Sequence, residues 1–198
     1  MDTPLSAQVL AALCRRESDL RQDAGAEAPP SLILMGTAYG KGVFAARRFA
    51  KGERLLEFKG DWYSYLEQQD LCAVKDVFLQ VGPDLYLGPS GGLDDFVNHS
   101  CDPNAAVRIG DLQAGRQAGR QGLMLIAIRD IEVGEEISFD YSLTSVDDNW
   151  ELICQCASAD CRKIIGEFRF LPAQVRQRYI NLGIVPDYVL AEIERTDP

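Results

Sequence analysis

Positive charge is scarce in this chain. Its 198 residues carry 20 lysines and arginines against 30 aspartates and glutamates, which gives a net charge of −10 and a pI near 4.6. Proteins that bind nucleic acid need clustered basic side chains to contact phosphates, so we expect no direct nucleic-acid binding. The balance favours a partner rich in lysine and arginine, although many proteins are acidic only for solubility.

Long apolar runs are missing too. Residues 1–13 hold a short apolar stretch, but Asp2 stands where a leader would be basic, and Arg15-Arg16-Glu17 follow. Neither a signal peptide nor a membrane span is predicted. The six cysteines, of which Cys14 and Cys72 stand alone, do not form the pattern of a disulfide scaffold. We therefore expect a soluble intracellular protein, in the cytoplasm or, in a eukaryote, the nucleus.

Three of the cysteines are clustered within eight residues: Cys154, Cys156 and Cys161. Three thiolates so close together suit a zinc ion and leave one tetrahedral position open. The candidate for that position is Cys101, in the run Asn98-His99-Ser100-Cys101-Asp102-Pro103-Asn104, which would join the C-terminal segment to the middle of the chain. A site closed by four protein ligands is structural rather than catalytic. The alternative is a set of free buried thiols.

The hydrophobic pattern indicates one mostly β domain. A hydrophobic content of 46% is enough for a core in a chain of this length. Short runs rich in β-forming residues are broken by glycines, which is typical of small sheets. The predicted strands are Leu32–Met35, Gly42–Ala46, Arg54–Phe58, Val77–Val81, Leu85–Leu87, Ala105–Ile109, Leu123–Ala127 and Glu136–Phe139.

Helices are predicted only near the two ends. The first covers residues 5–21 and is followed by a linker at 24–30. Near the other end, one helix is expected from Pro172 to about Leu182, with Gly183 as its stop, and another over 187–195. A Gly/Arg-rich stretch at 114–122 is predicted to be a flexible hairpin tip rather than a functional basic patch.

Four motifs follow one another along the chain: Gly40-Lys41-Gly42-Val43-Phe44-Ala45, the Asn98–Asn104 run, Glu135-Glu136-Ile137-Ser138-Phe139-Asp140-Tyr141, and the cysteine cluster. In this order and spacing they closely resemble the SET-domain family of protein lysine methyltransferases, over about residues 31–170. The resemblance implies a mostly β SET fold of several short-stranded sheets with a threaded, pseudoknot-like segment, plus short terminal helices. The expected order is an N-terminal helix and linker (1–30), the SET domain (31–145), a post-SET zinc segment (146–170) and a helical tail (171–198).

What the resemblance implies for function is methyl transfer from S-adenosylmethionine to the side-chain amine of lysine in a basic, histone-like protein, with zinc as a structural cofactor. Tyr141 is expected to orient the lysine nitrogen; the alternative is a strand-end tyrosine whose hydroxyl bonds to backbone. Phe139 matches a position that is Phe or Tyr in the family, and Phe leaves room for di- and trimethylation. Phe78 stands where the family often has a tyrosine that helps to bind the amine, unless a shifted register gives that place to Tyr86.

The cofactor pocket is assigned by the same resemblance. Glycine permits a close approach of the backbone to a ligand, which suits Gly40 and Gly42. Asn98 and His99 match residues that contact the methionine end and the adenine. His99, the only histidine, is expected to act through backbone groups and packing rather than as a general base. The predicted cofactor-binding residues are Lys41, Gly42, Asn98, His99, Tyr141 and Trp150.

The sequence departs from the family pattern at three places. Phe78 lacks the usual hydroxyl, Asp95 replaces an arginine three residues before Asn98, and no cysteine-rich segment precedes the core. Two other functions therefore stay open. One is a catalytically weak SET module that binds lysine-containing segments, and the other is a zinc-stapled interaction protein without a cofactor.

Overall fold

The computed structural model describes residues 30–38, 40–70, 78–110, 123–147 and 150–196. The predicted N-terminal helix, almost all of the linker, the hairpin tip at 114–122, and Cys14 and Cys72 lie outside these residues. The described part is built mainly of short strands, as predicted. The strands are β1 (Leu32–Thr37), β2 (Gly40–Ala45), β3 (Arg54–Glu57), β4 (Trp62–Tyr63), β5 (Leu79–Gly82), β6 (Leu85–Leu87), β7 (Asn98–His99), β8 (Ala105–Ile109), β9 (Leu123–Ala127), β10 (Ser138–Phe139), β11 (Leu152–Ile153) and β12 (Ile164–Ile165).

Within the described ranges these strands form small sheets of two or three members. β1 pairs with β2 and β11 with β12, while β9 lies between β3 and β8 and β6 lies between β4 and β5, all antiparallel. β7 and β10 pair in parallel, with Asn98 opposite Ser138 and His99 opposite Phe139. The parallel pair therefore joins the Asn-His motif to the Phe-Asp-Tyr motif.

Strand β8 contributes side chains to two buried hydrophobic clusters, a main cluster and a second cluster that includes residues of the C-terminal helices. Ala105 and Val107 face the main cluster, which includes Val43, Leu125 and Ile137, all fully buried. Alternate residues of a strand point to opposite faces, so Ala106 belongs to a second cluster on the other side. The middle of the domain is thus enclosed from both sides.

Three α-helices are present in the described residues: α1 (Tyr65–Asp70), α2 (Ala173–Asn181) and α3 (Asp187–Thr196). Leu182 caps α2 and Gly183 follows it; the φ of +62° at Gly183 accompanies hydrogen bonds from Gly183 N to Ile180 O and from Ile184 N to Tyr179 O. α2 and α3 bury Tyr179 and Val189 in the second cluster. None of the helices in the described residues combines the length and apolar character that a membrane crossing requires.

The sequence did not predict α1, although a signal for it exists. Ser64 and Glu67 form a reciprocal cap, in which Ser64 N and Oγ donate to the Glu67 carboxylate and Glu67 N donates to Ser64 Oγ. Ser-x-x-Glu is the sequence pattern of such a cap. The strand predicted from Val77 is observed as β5, which begins two residues later, at Leu79.

Candidate active site and metal centre

An aromatic cavity of about 100 Å³ opens beside β10. Its walls combine buried rings with the half-exposed carboxylates of Asp94, Asp95 and Asp147. The aromatic lining residues are Phe58, Phe78, Tyr86, Phe139, Tyr141 and Trp150. Five of these were singled out from the sequence: Phe78, its alternative Tyr86, Phe139, Tyr141 and Trp150.

Tyr141 is held at both ends. Its hydroxyl donates to the carbonyl of Val97 at 2.8 Å, and its backbone N–H donates to Nδ1 of His99 at 3.2 Å. Because the hydroxyl donates its proton to the Val97 carbonyl, it acts toward a ligand as a hydrogen-bond acceptor. The hydroxyl thus bonds to backbone, as the alternative reading expected, and the same side chain also lines the cavity.

Phe139 lies at the floor of the cavity, 4% exposed. Its ring centroid is 4.8 Å from that of Tyr141 and 6.0 Å from that of Phe58. Phe78 packs edge-on against Tyr63, with centroids 5.3 Å apart. These rings give the cavity an apolar side, which disfavours a charged ammonium beside them.

Tyr86 also reaches the cavity, so the structure places both candidates for the missing tyrosine, Phe78 and Tyr86, on its wall. The Tyr86 hydroxyl is buried and has no hydrogen-bond partner among the described residues. Burial and the nearby Asp147 raise its pKa, so the phenol is neutral.

A second group of predicted residues meets around Gly42. A Cβ at this position would lie 2.4 Å from Glu136 Oε1 and 2.9 Å from Asn98 Nδ2, so any larger residue would push these side chains out of place. Asn98 Nδ2 donates to the carbonyl of Lys41 at 3.0 Å and to Glu136 Oε1 at 2.6 Å. Sequence reasoning had no grounds to single out Glu136, yet its side chain is the one that anchors Asn98.

The four cysteines singled out from the sequence converge. Sγ of Cys154 lies 3.6 Å from Sγ of Cys101 and 3.6 Å from Sγ of Cys161, and the backbone N–H of Cys101 points to Sγ of Cys156 at 3.5 Å. Trp150 packs on this cluster and also lines the cavity, so it touches both sites.

The chemistry of this donor set fits zinc. Burial raises the pKa of Cys101 and of Cys154, whereas at Cys156 hydrogen bonds from Ser158 and from the Cys101 backbone outweigh burial and lower the pKa to about 6. Cys101 Sγ accepts from the backbone N–H of Arg162 at 3.4 Å and lies 3.3 Å from His99 Nε2. Thiolates that receive N–H donors are suitable metal ligands. These cysteines could therefore hold a structural zinc ion.

His99 adds a fifth possible donor that sequence reasoning did not assign. Its ring nitrogen and the sulfurs of Cys101, Cys154 and Cys156 all lie within 4.8 Å of one another. The ring is buried, and burial lowers its pKa to about 4, so the imidazole is neutral at physiological pH.

Asp140 is the centre of a buried network that the sequence did not reveal. It is 0% exposed, and its carboxylate accepts from Arg162 Nη2 at 2.7 Å, from Ser142 N at 3.1 Å and from the Tyr179 hydroxyl at 2.9 Å. Arg162 belongs to the cysteine segment and Tyr179 to α2. The residue between Phe139 and Tyr141 thus ties the cavity to the whole C-terminal part. The sequence did not indicate that Arg162 and Tyr179 bind Asp140, because both lie far from it along the chain.

Comparison with known proteins settles the family. The family model described as SET domain matches residues 40–142, which is 103 of 198 residues and more than half of the chain. The chain belongs to the SET domain family. The matched region contains the glycine motif, both parallel strands and Tyr141, and the cysteine cluster and α2 follow it.

Several relatives of this SET domain are named histone-lysine methyltransferases. The chain is 30% identical over 146 residues to a probable histone-lysine N-methyltransferase, set-23 of Caenorhabditis briggsae, covering 67% of this chain and 59% of that protein. It is 31% identical over 163 residues to histone-lysine N-methyltransferase ash1 of Drosophila melanogaster, covering 77% of this chain but 7% of that protein. The chain therefore spans little more than half of the nematode relative.

Solved structures agree on the fold. A crystal structure of KRYPTONITE in complex with mCHH DNA, an H3(1-15) peptide and SAH matches with a TM-score of 0.53 and 22% identity, over 68% of this chain and 29% of that one. A second KRYPTONITE structure, with mCHG DNA and SAH, matches with a TM-score of 0.52 and 25% identity. The SET fold expected from the sequence is confirmed.

Proposed function

We propose that this chain is an S-adenosylmethionine-dependent protein-lysine N-methyltransferase. The observation that carries the proposal is the position of Tyr141, which borders the aromatic cavity with its ring and contacts the Asn-His strand with its backbone. The methyltransferase relatives and the KRYPTONITE complexes with SAH support the same reaction class.

The cavity prepares the nucleophile. Asp94, Asp95 and Asp147 attract a lysine cation, whereas the buried rings disfavour the ammonium form and lower its pKa. The Tyr141 oxygen, whose proton is committed to Val97, then accepts a hydrogen bond from the neutral amine and aligns its lone pair. Phe139 adds no hydroxyl beside the amine, so room remains for di- and trimethylation.

The cofactor side is formed by Lys41, Gly42, Asn98, His99, Tyr141 and Trp150. When bound, S-adenosylmethionine would supply an electrophilic methyl group: the amine would attack the methyl carbon in line as the sulfur–carbon bond breaks, S-adenosylhomocysteine would leave, and the methylated nitrogen would then lose a proton. Gly42 permits a close approach of the backbone, and Asn98 is oriented by Glu136 and the Lys41 carbonyl. These residues serve to bind and align, which is the main requirement of a displacement reaction.

We further propose that Cys101, Cys154, Cys156 and Cys161 hold one structural zinc ion. The metal would fix the 150–165 segment, including Trp150, beside the cavity. The domain division at 1–30, 31–145, 146–170 and 171–198 stays a prediction from the family resemblance. The substrate is proposed to be a basic, histone-like protein, and the location intracellular. Because the KRYPTONITE complexes also contain DNA, the absence of nucleic-acid binding stays a prediction.

The test is methyl transfer from labelled S-adenosylmethionine to a panel of basic proteins, comparing wild type with Tyr141→Phe. We expect lysine labelling by wild type and a loss on the order of 100-fold in the variant, as misalignment of reacting atoms causes. Both proteins should be stabilised thermally by S-adenosylhomocysteine, because the variant loses only the hydroxyl of Tyr141 and keeps its ring, its backbone and the other residues of the cofactor side. Mass spectrometry should find di- or trimethyllysine; product that stays monomethyl after long incubation would contradict the role of Phe139.

The missing hydroxyl at Phe78 favours one second candidate, a module that binds lysine-containing segments without turnover. It predicts stabilisation by S-adenosylhomocysteine but no transfer by wild type. Absence of stabilisation even at millimolar ligand would instead support a zinc-stapled interaction protein.

A further inference from the structure

The side chain of His99 touches both proposed sites. Nδ1 lies 3.2 Å from the backbone nitrogen of Tyr141, and Nε2 lies 3.3 Å from Sγ of Cys101. The imidazole is buried, so neither nitrogen exchanges its partner for bulk water. One rigid ring therefore connects the cysteine cluster to the residue that borders the cavity.

The contact with Tyr141 decides where the imidazole proton lies. A backbone N–H can only donate, so Nδ1 must accept and carries no proton. With Nδ1 unprotonated, the ring carries its proton on Nε2, which lies 3.3 Å from Cys101 Sγ. A nitrogen that carries a proton has no lone pair for a metal, so His99 is excluded from the zinc ligands despite its place among the sulfurs.

The competing arrangement places the proton on Nδ1, directed at Asp140, and leaves Nε2 free to bind the metal. This is the carboxylate–histidine–metal pattern of many zinc sites. The structure disfavours it because Nδ1 is 3.5 Å from Asp140 Oδ1, which is long for a hydrogen bond. That oxygen is already used by Arg162 Nη2 at 2.7 Å and Ser142 N at 3.1 Å.

We infer that His99 is a positioning residue that bridges the metal site and the active site: Nε2–H donates to the Cys101 thiolate while Nδ1 holds the backbone of Tyr141. The inference rests on the proposed zinc site and on the proposed role of Tyr141. It goes beyond the expectation from sequence, in which His99 acted only through backbone groups and packing. It also selects the four cysteines from five possible donors.

The decisive measurement needs no variant. The chain has a single histidine, so protein labelled with ¹⁵N-histidine gives one pair of imidazole nitrogen signals. In the form loaded with ¹¹³Cd in place of zinc, we expect a protonated Nε2, an unprotonated Nδ1, and no one-bond ¹¹³Cd–¹⁵N coupling. A one-bond coupling, or a proton on Nδ1, would overturn the inference while leaving the methyltransferase proposal intact. Wild type that takes up neither metal would overturn both this inference and the zinc site.

Two isosteric variants separate the two contacts. The amide of His99→Gln reaches the place of Nε2 and keeps a donor for the sulfur, whereas the carbonyl of His99→Asn reaches the place of Nδ1 and keeps an acceptor for Tyr141. We expect His99→Asn to bind zinc about 10–100-fold more weakly than wild type, as loss of a hydrogen bond to a ligand does. His99→Gln should keep most of the zinc affinity but lose turnover. Equal zinc affinity in the two variants would contradict the bridge.

Discussion

The hydrogen bond between Tyr179 and Asp140 allows a sharp test of how the C-terminal helices support the active site. Tyr179 is fully buried, and its hydroxyl donates to Asp140 Oδ2 at 2.9 Å. Tyr179→Phe removes only this oxygen and leaves the ring in the second cluster. One oxygen of a completely buried carboxylate then loses the partner that the structure gives it.

The expected loss of stability in Tyr179→Phe depends on the acceptor being the Asp140 carboxylate, a charged group. A hydrogen bond to a charged group contributes about 1.5–3 kcal/mol. For a domain of this size, each 1 kcal/mol shifts the melting temperature by about 2–4 °C, so the variant should melt about 3–12 °C lower. Tyr188→Phe is the matched control, because its buried hydroxyl donates to the neutral carbonyls of Gln80 and Thr144. That change should cost only about 0.5–1.5 kcal/mol.

The assay is urea denaturation of wild type and both variants, followed by methyl transfer under conditions where each is folded. Tyr179→Phe should be the less stable variant and should also lose activity, since Asp140 lies between Phe139 and Tyr141. If the two tyrosine variants are equally stable, the charged network does not contribute as argued. If Tyr179→Phe keeps full turnover, Asp140 does not transmit the position of α2 to the cavity.

Three further outcomes are expected. Gly42→Ala should lower the free energy of unfolding by about 1–3 kcal/mol and weaken S-adenosylhomocysteine binding, because the added Cβ meets Glu136 and Asn98. In the control Gly36→Ala, nothing lies within 4 Å of the added Cβ, so stability and ligand binding should change little. Equal effects in the two variants would refute the steric argument. Elemental analysis should find zinc in wild type but not in Cys156→Ser, and the variant should melt at a lower temperature. A variant that keeps its zinc would show that the Cys156 sulfur is not a ligand. Phe139→Tyr should shift the product toward monomethyllysine in mass spectra, and an unchanged product distribution would count against the size argument.

Much of the fold was predictable because it depends on local patterns. β6, β8 and β9 lie at the predicted residues, and α2 ends where Gly183 was expected to stop it. Two-residue strands such as β11 and β12 were not predicted, because pairs this short have no readable alternation of polar and apolar residues. Their pairing depends on the closing of the cysteine segment.

The candidate site likewise contains residues that the sequence predicted and residues that it did not. Residue types within motifs pointed to Tyr141, Asn98 and the four cysteines. Partners contributed from far along the chain, such as Arg162 and Tyr179, carry no local signal, since an arginine or a tyrosine in isolation suggests a surface or a core position. The side-chain role of His99 was also beyond the sequence, because it depends on two distances that only the folded chain defines.

Trp150 has a practical consequence as a natural optical reporter. The chain contains only two tryptophans, and Trp62 lies in β4, so Trp62→Phe leaves one indole as the sole fluorophore of its kind. That indole rests on the cysteine cluster and also forms part of the cavity wall. Its emission should therefore register metal loading and peptide entry separately, by two spectral changes in one label-free titration.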